Sequence, residues 1–90
     1  MSEIENLIKI ASNARTCSLA PFSKFLVGAA LRTEAGKIFT GCNIESASYG
    51  LTVCAERVAI WKALSDCERD FTDLVIVVDQ YDMGPIRPHR

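Results

Sequence analysis

An uninterrupted run of five aliphatic residues, 74–78, constrains the fold of this chain more than any other segment. Four of these residues are β-branched, and Asp79 follows them. A continuous run of this kind is typical of a strand that is covered on both faces in the interior of an α/β sheet. The sequence therefore predicts a buried strand over residues 74–79, with other elements packed on both sides of its sheet.

Helical and extended patterns alternate along the rest of the chain. Apolar residues at helical spacing predict an amphipathic helix over residues 3–17. Two strands, residues 25–32 and 37–42, are predicted to form an antiparallel hairpin. Residues 43–50 are polar and predict a loop, whereas residues 53–65 are apolar around much of a helical circumference and predict a helix between layers. The fold class that follows is α/β, with a mixed sheet flanked by helices.

The centre of the first predicted strand is made of small residues. Gly28-Ala29-Ala30 stands between larger apolar residues on both sides. A strand segment without bulky side chains indicates that another backbone approaches it closely. We therefore expect a neighbouring element to pack tightly here.

The composition of the chain indicates a small folded domain and gives no sign of a nucleic-acid or membrane partner. The 90 residues correspond to one small domain, and 49% of them are hydrophobic, which argues against disorder. Ten basic and eleven acidic residues give a net charge of −1, so no electrostatic feature favours a nucleic acid or an anionic membrane. No apolar run is long enough to span a membrane, and the acidic N-terminus is unlike a signal peptide. Four cysteines without a CxxC pair are typical of reduced thiols in a cytoplasmic protein.

Cys54-Ala55-Glu56, at the start of the second predicted helix, is the candidate for chemistry. A thiolate at a helix N-terminus is stabilised by the helix dipole and can bind Zn²⁺. A carboxylate two residues on does not share its helix face, but both can reach a ligand that lies over the helix end. Taken alone, a buried cysteine and a solvent-facing glutamate are the commoner explanation of this spacing.

Three residues outside that triplet offer binding groups. Asn43 and Glu45 carry donors and acceptors that suit sugar hydroxyls, although such residues are more often found in turns and on surfaces. Phe25 begins a strand after a Pro-Phe-Ser-Lys turn. An aromatic residue there belongs to a core more often than to a surface on which a base stacks.

Three segments together resemble the cytidine deaminase family, in its small homotetrameric, zinc-dependent form. They are Ala20-Pro21-Phe22-Ser23-Lys24-Phe25-Leu26-Val27-Gly28-Ala29-Ala30, Gly41-Cys42-Asn43-Ile44-Glu45-Ser46-Ala47-Ser48-Tyr49 and Cys54-Ala55-Glu56-Arg57. Their order and spacing are those of the family. The resemblance implies a three-layer α/β/α fold, one Zn²⁺ per subunit and the hydrolytic deamination of cytidine or deoxycytidine in pyrimidine salvage.

The resemblance also implies roles in catalysis and metal binding. Cys54 would be the first zinc ligand, and Glu56 would carry protons between water and the pyrimidine. Arg57 would hydrogen-bond the zinc thiolates and offset their negative charge. A thiolate at position 54, where nucleotide and tRNA deaminases have a histidine, favours a free nucleoside as substrate.

For the substrate itself, the resemblance assigns the two halves of a nucleoside to different residues. Asn43 and Glu45 would bind the ribose, in cytidine or in deoxycytidine. Phe25 would pack against the base. The Ala55 backbone, with Glu56, would hold the pyrimidine.

The end of the chain departs from the family pattern. Pro88 matches the start of the second zinc motif, Pro-Cys-x-x-Cys, but His89 stands in place of its first cysteine. His89 can bind zinc in principle, although a lone histidine is more often solvated. Cys67 would lie roughly 20 Å from Cys54 along a helix, too far to share a metal. At most two ligands are then credible, and a catalytic zinc takes three.

We therefore interpret residues 1–90 as the N-terminal two-thirds of a cytidine deaminase-like domain that is incomplete at its C-terminus. Its strand at 74–79 would then present an open apolar edge. Three hypotheses remain open: an active deaminase, an inactive truncated homologue that binds nucleoside or partner subunits without zinc, and an unfolded remnant. Metal content separates the first two, and a cooperative melt separates both from the third.

Overall fold

The computed structural model describes residues 3–21, 25–46 and 51–80. The predicted first helix is confirmed, although its last turn tightens into a 3₁₀ turn, Arg15–Cys17. The second helix begins at Ala55, two residues later than predicted, because Val53 belongs to a strand. The elements are α1 Glu3–Ala14, the 3₁₀ turn, β1 Phe25–Thr33, β2 Ile38–Cys42, β3 Ile44–Ser46, β4 Leu51–Val53, α2 Ala55–Ser65 and β5 Phe71–Gln80.

The central sheet has the strand order β2-β1-β5. β1 and β2 form the predicted antiparallel hairpin, in which Gly28 lies opposite Cys42. β5 pairs with the other side of β1, again antiparallel, with Ala29 opposite Ile76. The sheet was expected to be mixed, but within the described residues its three strands are antiparallel throughout.

The segment predicted as a polar loop, residues 43–50, contains a strand. Residues 44–46 form β3, which pairs antiparallel with β4 in a small second sheet. The prediction failed because β3 is three residues long, too short for an alternating pattern to show. Residues 47–50 lie outside the described part of the chain.

α1 and the 3₁₀ turn cover one face of the sheet. A Cβ atom on Gly28 would overlap the carbonyl oxygen of Ala11 and would lie 2.6 Å from the Arg15 nitrogen. Ala30, on the same face, packs with Leu7 and Ala11. The close approach predicted from Gly28-Ala29-Ala30 is therefore confirmed, since only glycine leaves room for the helix backbone.

α2 covers the opposite face with a row of alanines. Ala55, Ala59 and Ala63 are fully buried against Ala29 and Leu31. The expectation that α2 would be buried around most of its circumference is wrong for the described structure, because Trp61 is 53% exposed. The apolar residues of α2 thus form a buried stripe and an exposed outer surface rather than a helix enclosed between layers.

β5 is confirmed as a strand, but its two faces differ. Val75 and Val77 pack against the cluster beneath α1. Leu74, Ile76 and Val78, on the side of α2, are 42%, 45% and 58% exposed. The prediction of a strand covered on both faces is therefore wrong for the described residues, because α2 lies over β2 and β1 and leaves this face of β5 open.

Candidate functional site

One end of the central sheet gathers the segments that carry the candidate residues. β1 begins there at Phe25, and because its neighbours are antiparallel, β2 and β5 end there at Cys42 and Gln80. α2 also begins at this end, since the Ala55 carbonyl and the Ala59 nitrogen lie over Gly41. The starts of β1 and α2 and the ends of β2 and β5 therefore lie at the same end of the sheet.

The β3–β4 ladder joins the expected sugar-binding residues to the expected metal ligand. Ile44 pairs with Val53, and Glu45 pairs with Thr52. The ladder ends at the Ile44–Val53 pair, which Asn43 precedes on one strand and Cys54 follows on the other. Asn43 and Cys54 thus adjoin the same end of the ladder, and Glu45 lies within it.

Asn43 is buried and held at both ends of its side-chain amide. Its Oδ1 accepts a hydrogen bond from the Val27 nitrogen at 3.0 Å, and its Nδ2 donates to the Phe25 carbonyl at 2.8 Å. A side-chain amide has two donor hydrogens and two acceptor lone pairs. One of each is used here, so the remaining pair can still serve a ligand while the side chain stays oriented.

The backbone of Leu19 makes hydrogen bonds on both sides of Ile44, with Asn43 and with Glu45. Its nitrogen donates to the Asn43 carbonyl at 3.0 Å, and its carbonyl accepts from the Glu45 nitrogen at 2.7 Å. Leu19 and Ile44 consequently form a parallel bridge between the segment after α1 and β3. Sequence reasoning missed this residue, because its backbone makes the contacts and its side-chain type gives no signal.

Cys54 is the N-cap of α2 rather than a residue of its first turn. Its backbone is extended, and its carbonyl accepts hydrogen bonds from Arg57 and Val58, each at 3.1 Å. The residue is exposed. Its thiol therefore stands at the N-terminus of α2.

The neighbouring candidates differ in how accessible they are. Ala55 is fully buried, Glu56 is half-buried in the first turn of α2, and Arg57 is exposed. Phe25 is 43% exposed, so part of its ring surface is open to solvent.

Among the described residues, Cys54 is the one expected zinc ligand at this end of the sheet. Cys67 follows the C-terminal end of α2, at the far end of the helix, and His89 lies outside the described residues. No group of three histidine, cysteine, aspartate or glutamate side chains in the described part of the chain could hold a metal ion. Because a catalytic zinc takes three protein ligands, the described donor set does not fit Zn²⁺ by itself.

Comparison with known proteins identifies the family of the chain. The model of the cytidine and deoxycytidylate deaminase zinc-binding region matches residues 1–85. The chain belongs to this deaminase family. Family membership confirms the resemblance carried by the three motifs.

Two curated deaminases show how much of the family sequence is present. A cytidine deaminase from Sporosarcina psychrophila is 48% identical over 86 residues, which are 96% of this chain and 62% of the relative. A probable cytidine deaminase from Dictyostelium discoideum is 48% identical over 80 residues, which are 89% of this chain and 54% of the relative. The chain therefore spans between half and two-thirds of the length of these deaminases.

A solved cytidine deaminase from Burkholderia pseudomallei has the same fold. The TM-score is 0.80 at 47% identity, over 98% of this chain and 68% of that one. The expected α/β fold class is thereby confirmed. In the described part of this family member, neither helix has the length and apolar character needed to cross a membrane.

Proposed function

We propose that this chain supplies the nucleoside-binding and proton-transferring part of a hydrolytic cytidine or deoxycytidine deaminase. The observation that carries the proposal is the Ile44–Val53 pair of the β3–β4 ladder, because Asn43 precedes Ile44 and Cys54 follows Val53 at the start of α2. The relatives named cytidine deaminase support the choice of substrate.

Each half of the nucleoside has candidate partners at this end of the sheet. The ribose would be bound by Asn43 and Glu45. The backbone of both residues is hydrogen-bonded to Leu19. The base would pack against the exposed part of the Phe25 ring. The Ala55 nitrogen would donate to the pyrimidine, because the first N–H groups of a helix have no partner within it.

Proton transfer is assigned to Glu56. Its carboxylate would take a proton from the attacking water and deliver protons to N3 of the base and then to the leaving amino group. The water oxygen adds at C4, the C4–N bond breaks, and ammonia leaves, so that cytidine and water give uridine and ammonia.

Zinc is proposed as the cofactor through the zinc-binding region of the family model. When bound, it would acidify the attacking water. Cys54 would be one ligand, and the others would come from outside the described residues, with His89 as a weak candidate. Arg57, three residues along α2, would place a guanidinium near the thiolate and offset its charge.

We further propose a cytoplasmic homo-oligomer, in the family a tetramer, that works in pyrimidine salvage. The exposed apolar side chains of Trp61, Leu64 and Val78 support burial against further protein. The near-zero net charge supports a small-molecule substrate rather than a nucleic acid or a membrane.

The test is to purify the chain without chelator, measure zinc per chain and assay ammonia release from cytidine. We expect Glu56→Ala to lower turnover by about 10²–10⁴-fold, the usual contribution of a general acid–base group. Glu34→Ala, an exposed glutamate at the other end of the sheet, is the matched control. Nucleoside binding without zinc or turnover would instead support the inactive homologue.

A further inference from the structure

Cys17 and Cys42 are brought together by the residues that follow them. The Ser18 hydroxyl donates to the Val27 carbonyl oxygen at 3.1 Å. The Asn43 nitrogen donates to the same oxygen at 3.2 Å. Cys17 precedes Ser18, and Cys42 precedes Asn43. Because both donors meet at one carbonyl oxygen, the two cysteines lie near each other.

The parallel bridge extends the same relationship. Leu19 pairs with Ile44, and the two segments run in the same direction. Cys17 lies two residues before Leu19, and Cys42 lies two residues before Ile44. Ser18, which is extended with φ −61° and ψ 142°, joins Leu19 to Cys17 at the end of the 3₁₀ turn.

The side chain of Cys42 lies on the correct face of the sheet. Gly28 faces α1 and the 3₁₀ turn, as its contacts with Ala11 and Arg15 show. Cys42 is opposite Gly28 in the antiparallel register and therefore shares that face. Gly41, one residue earlier, faces α2 instead. The Cys42 thiol consequently points to the layer in which Cys17 ends the 3₁₀ turn.

The two thiols differ in accessibility. Cys17 is exposed, whereas Cys42 is half-buried. Burial raises the pKa of Cys42, and a neighbouring Cys17 thiolate raises it further. Cys42 therefore stays protonated to higher pH, and an oxidant in solution meets Cys17 first.

We propose that Cys17 and Cys42 form a reversible redox pair that, when oxidised by a peroxide, joins the 3₁₀ turn to the end of β2. The Cys17 thiolate attacks the peroxide O–O bond, giving a sulfenic acid and releasing hydroxide. Cys42 sulfur, on losing its proton, then attacks the Cys17 sulfur and expels a second hydroxide. In sum, two thiols and hydrogen peroxide give one disulfide and two waters.

The position of the bond determines what it would restrain. The bond would lie two residues before Leu19, whose backbone hydrogen-bonds the backbone of Asn43 and Glu45. The other described cysteines are separated from the pair, because Cys54 caps α2 on the opposite face and Cys67 follows the far end of that helix. The pair is therefore specific within the described cysteines.

The experiment is to treat the reduced protein with a small excess of hydrogen peroxide and to map its peptides by mass spectrometry. We expect the four thiols of the chain to fall to two. A peptide should link Cys17 to Cys42 within one chain and should be lighter by two hydrogens. A thiol reductant should reverse it. Cys67→Ser, the control, should retain the link, and Cys17→Ser should lose it.

Stability gives a second readout that is independent of activity. A disulfide that fits the native geometry should raise the thermal midpoint by roughly 10 °C in wild type and not in Cys42→Ser. A Cys17 sulfenic acid that never pairs with Cys42, or a link to Cys54, Cys67 or another chain, would overturn the proposal. An oxidised chain that melts no higher than the reduced one would also overturn it, since the native fold would not accommodate the bond.

Discussion

Asn43 and Val27 hold each other through two hydrogen bonds. The Val27 nitrogen donates to Asn43 Oδ1 at 3.0 Å, and the Asn43 nitrogen donates to the Val27 carbonyl at 3.2 Å. A residue expected to bind ribose is therefore also part of the structure that joins β1 to the β3–β4 ladder. Its side chain is oriented before any ligand arrives.

We expect Asn43→Ala to lower the free energy of unfolding by about 1–3 kcal/mol, because it removes the side-chain partners of the part-buried Val27 N–H and Phe25 carbonyl. Asn43→Asp keeps an acceptor for Val27 but sets a carboxylate oxygen against the Phe25 carbonyl, so it should also destabilise. Urea unfolding of both variants measures the effect. A stable Asn43→Ala variant would show that water replaces both lost bonds.

Gly28 and Gly41 should be intolerant of any side chain. A Cβ on either glycine would overlap helix backbone, from α1 at Gly28 and from α2 at Gly41, and backbone cannot move aside as a side chain can. We expect Gly28→Ala and Gly41→Ala each to destabilise by ~3 kcal/mol or more. The measurement is the midpoint of thermal unfolding.

Gly36 provides the control for these two substitutions. It has a φ of +93°, but an added Cβ would meet no atom within 4 Å, so Gly36→Ala should cost only the backbone strain of about 1–2 kcal/mol. Equal losses at all three glycines would mean that conformational freedom, and not close packing, explains the small residues.

Cys67 adopts a left-handed conformation, with φ 67°, just after α2. Its nitrogen donates to the Leu64 carbonyl at 3.0 Å, and the Glu68 nitrogen donates to Ala63 at 2.9 Å, as at a helix C-terminus where glycine is preferred. We expect Cys67→Gly to stabilise by ~0.5–1 kcal/mol, because relief of the strain exceeds the added freedom of the unfolded chain. Cys67→Ala, with a Cβ retained, should be neutral in the same denaturation assay.

Asp73 should make the stability of the folded protein decrease at acid pH. Hydrogen bonds from Arg32, and next from Thr72, hold the pKa of Asp73 below its ordinary value. A carboxyl whose folded pKa is depressed contributes stability above its unfolded pKa of about 3.9 and loses it as the pH falls through the folded value.

The thermal midpoint should therefore fall below about pH 4 more steeply in wild type than in Asp73→Asn. Arg32, on β1, also pairs with Glu3, so Arg32→Gln should weaken the contact of β1 with α1 as well as that with β5. Asp70→Asn, an exposed neighbour, is the control. Parallel pH profiles for wild type and Asp73→Asn would contradict a role for the pair.

The local sequence pattern was sufficient to predict an element wherever neighbouring residues in the sequence determine the structure. The periodicity of residues 3–17, the β-branched run at 74–78 and the small residues Gly28-Ala29-Ala30 each indicated an element or a close contact that the structure contains. The motif Cys54-Ala55-Glu56-Arg57, with its partners at 20–30 and 41–49, was sufficient for the family. These patterns are informative because secondary structure and family motifs depend on residues that are close together in the sequence.

Only the tertiary structure decided how far each element is covered and what holds the candidate site. Whether Val78 is buried depends on where α2 lies, and α2 covers β2 and β1 instead of β5. Leu19 reaches Asn43 and Glu45 through backbone atoms that every residue type shares, so its sequence carries no trace of the contact. The sequence alone determines the elements and the family, whereas burial and backbone pairing arise from contacts between residues far apart in the chain.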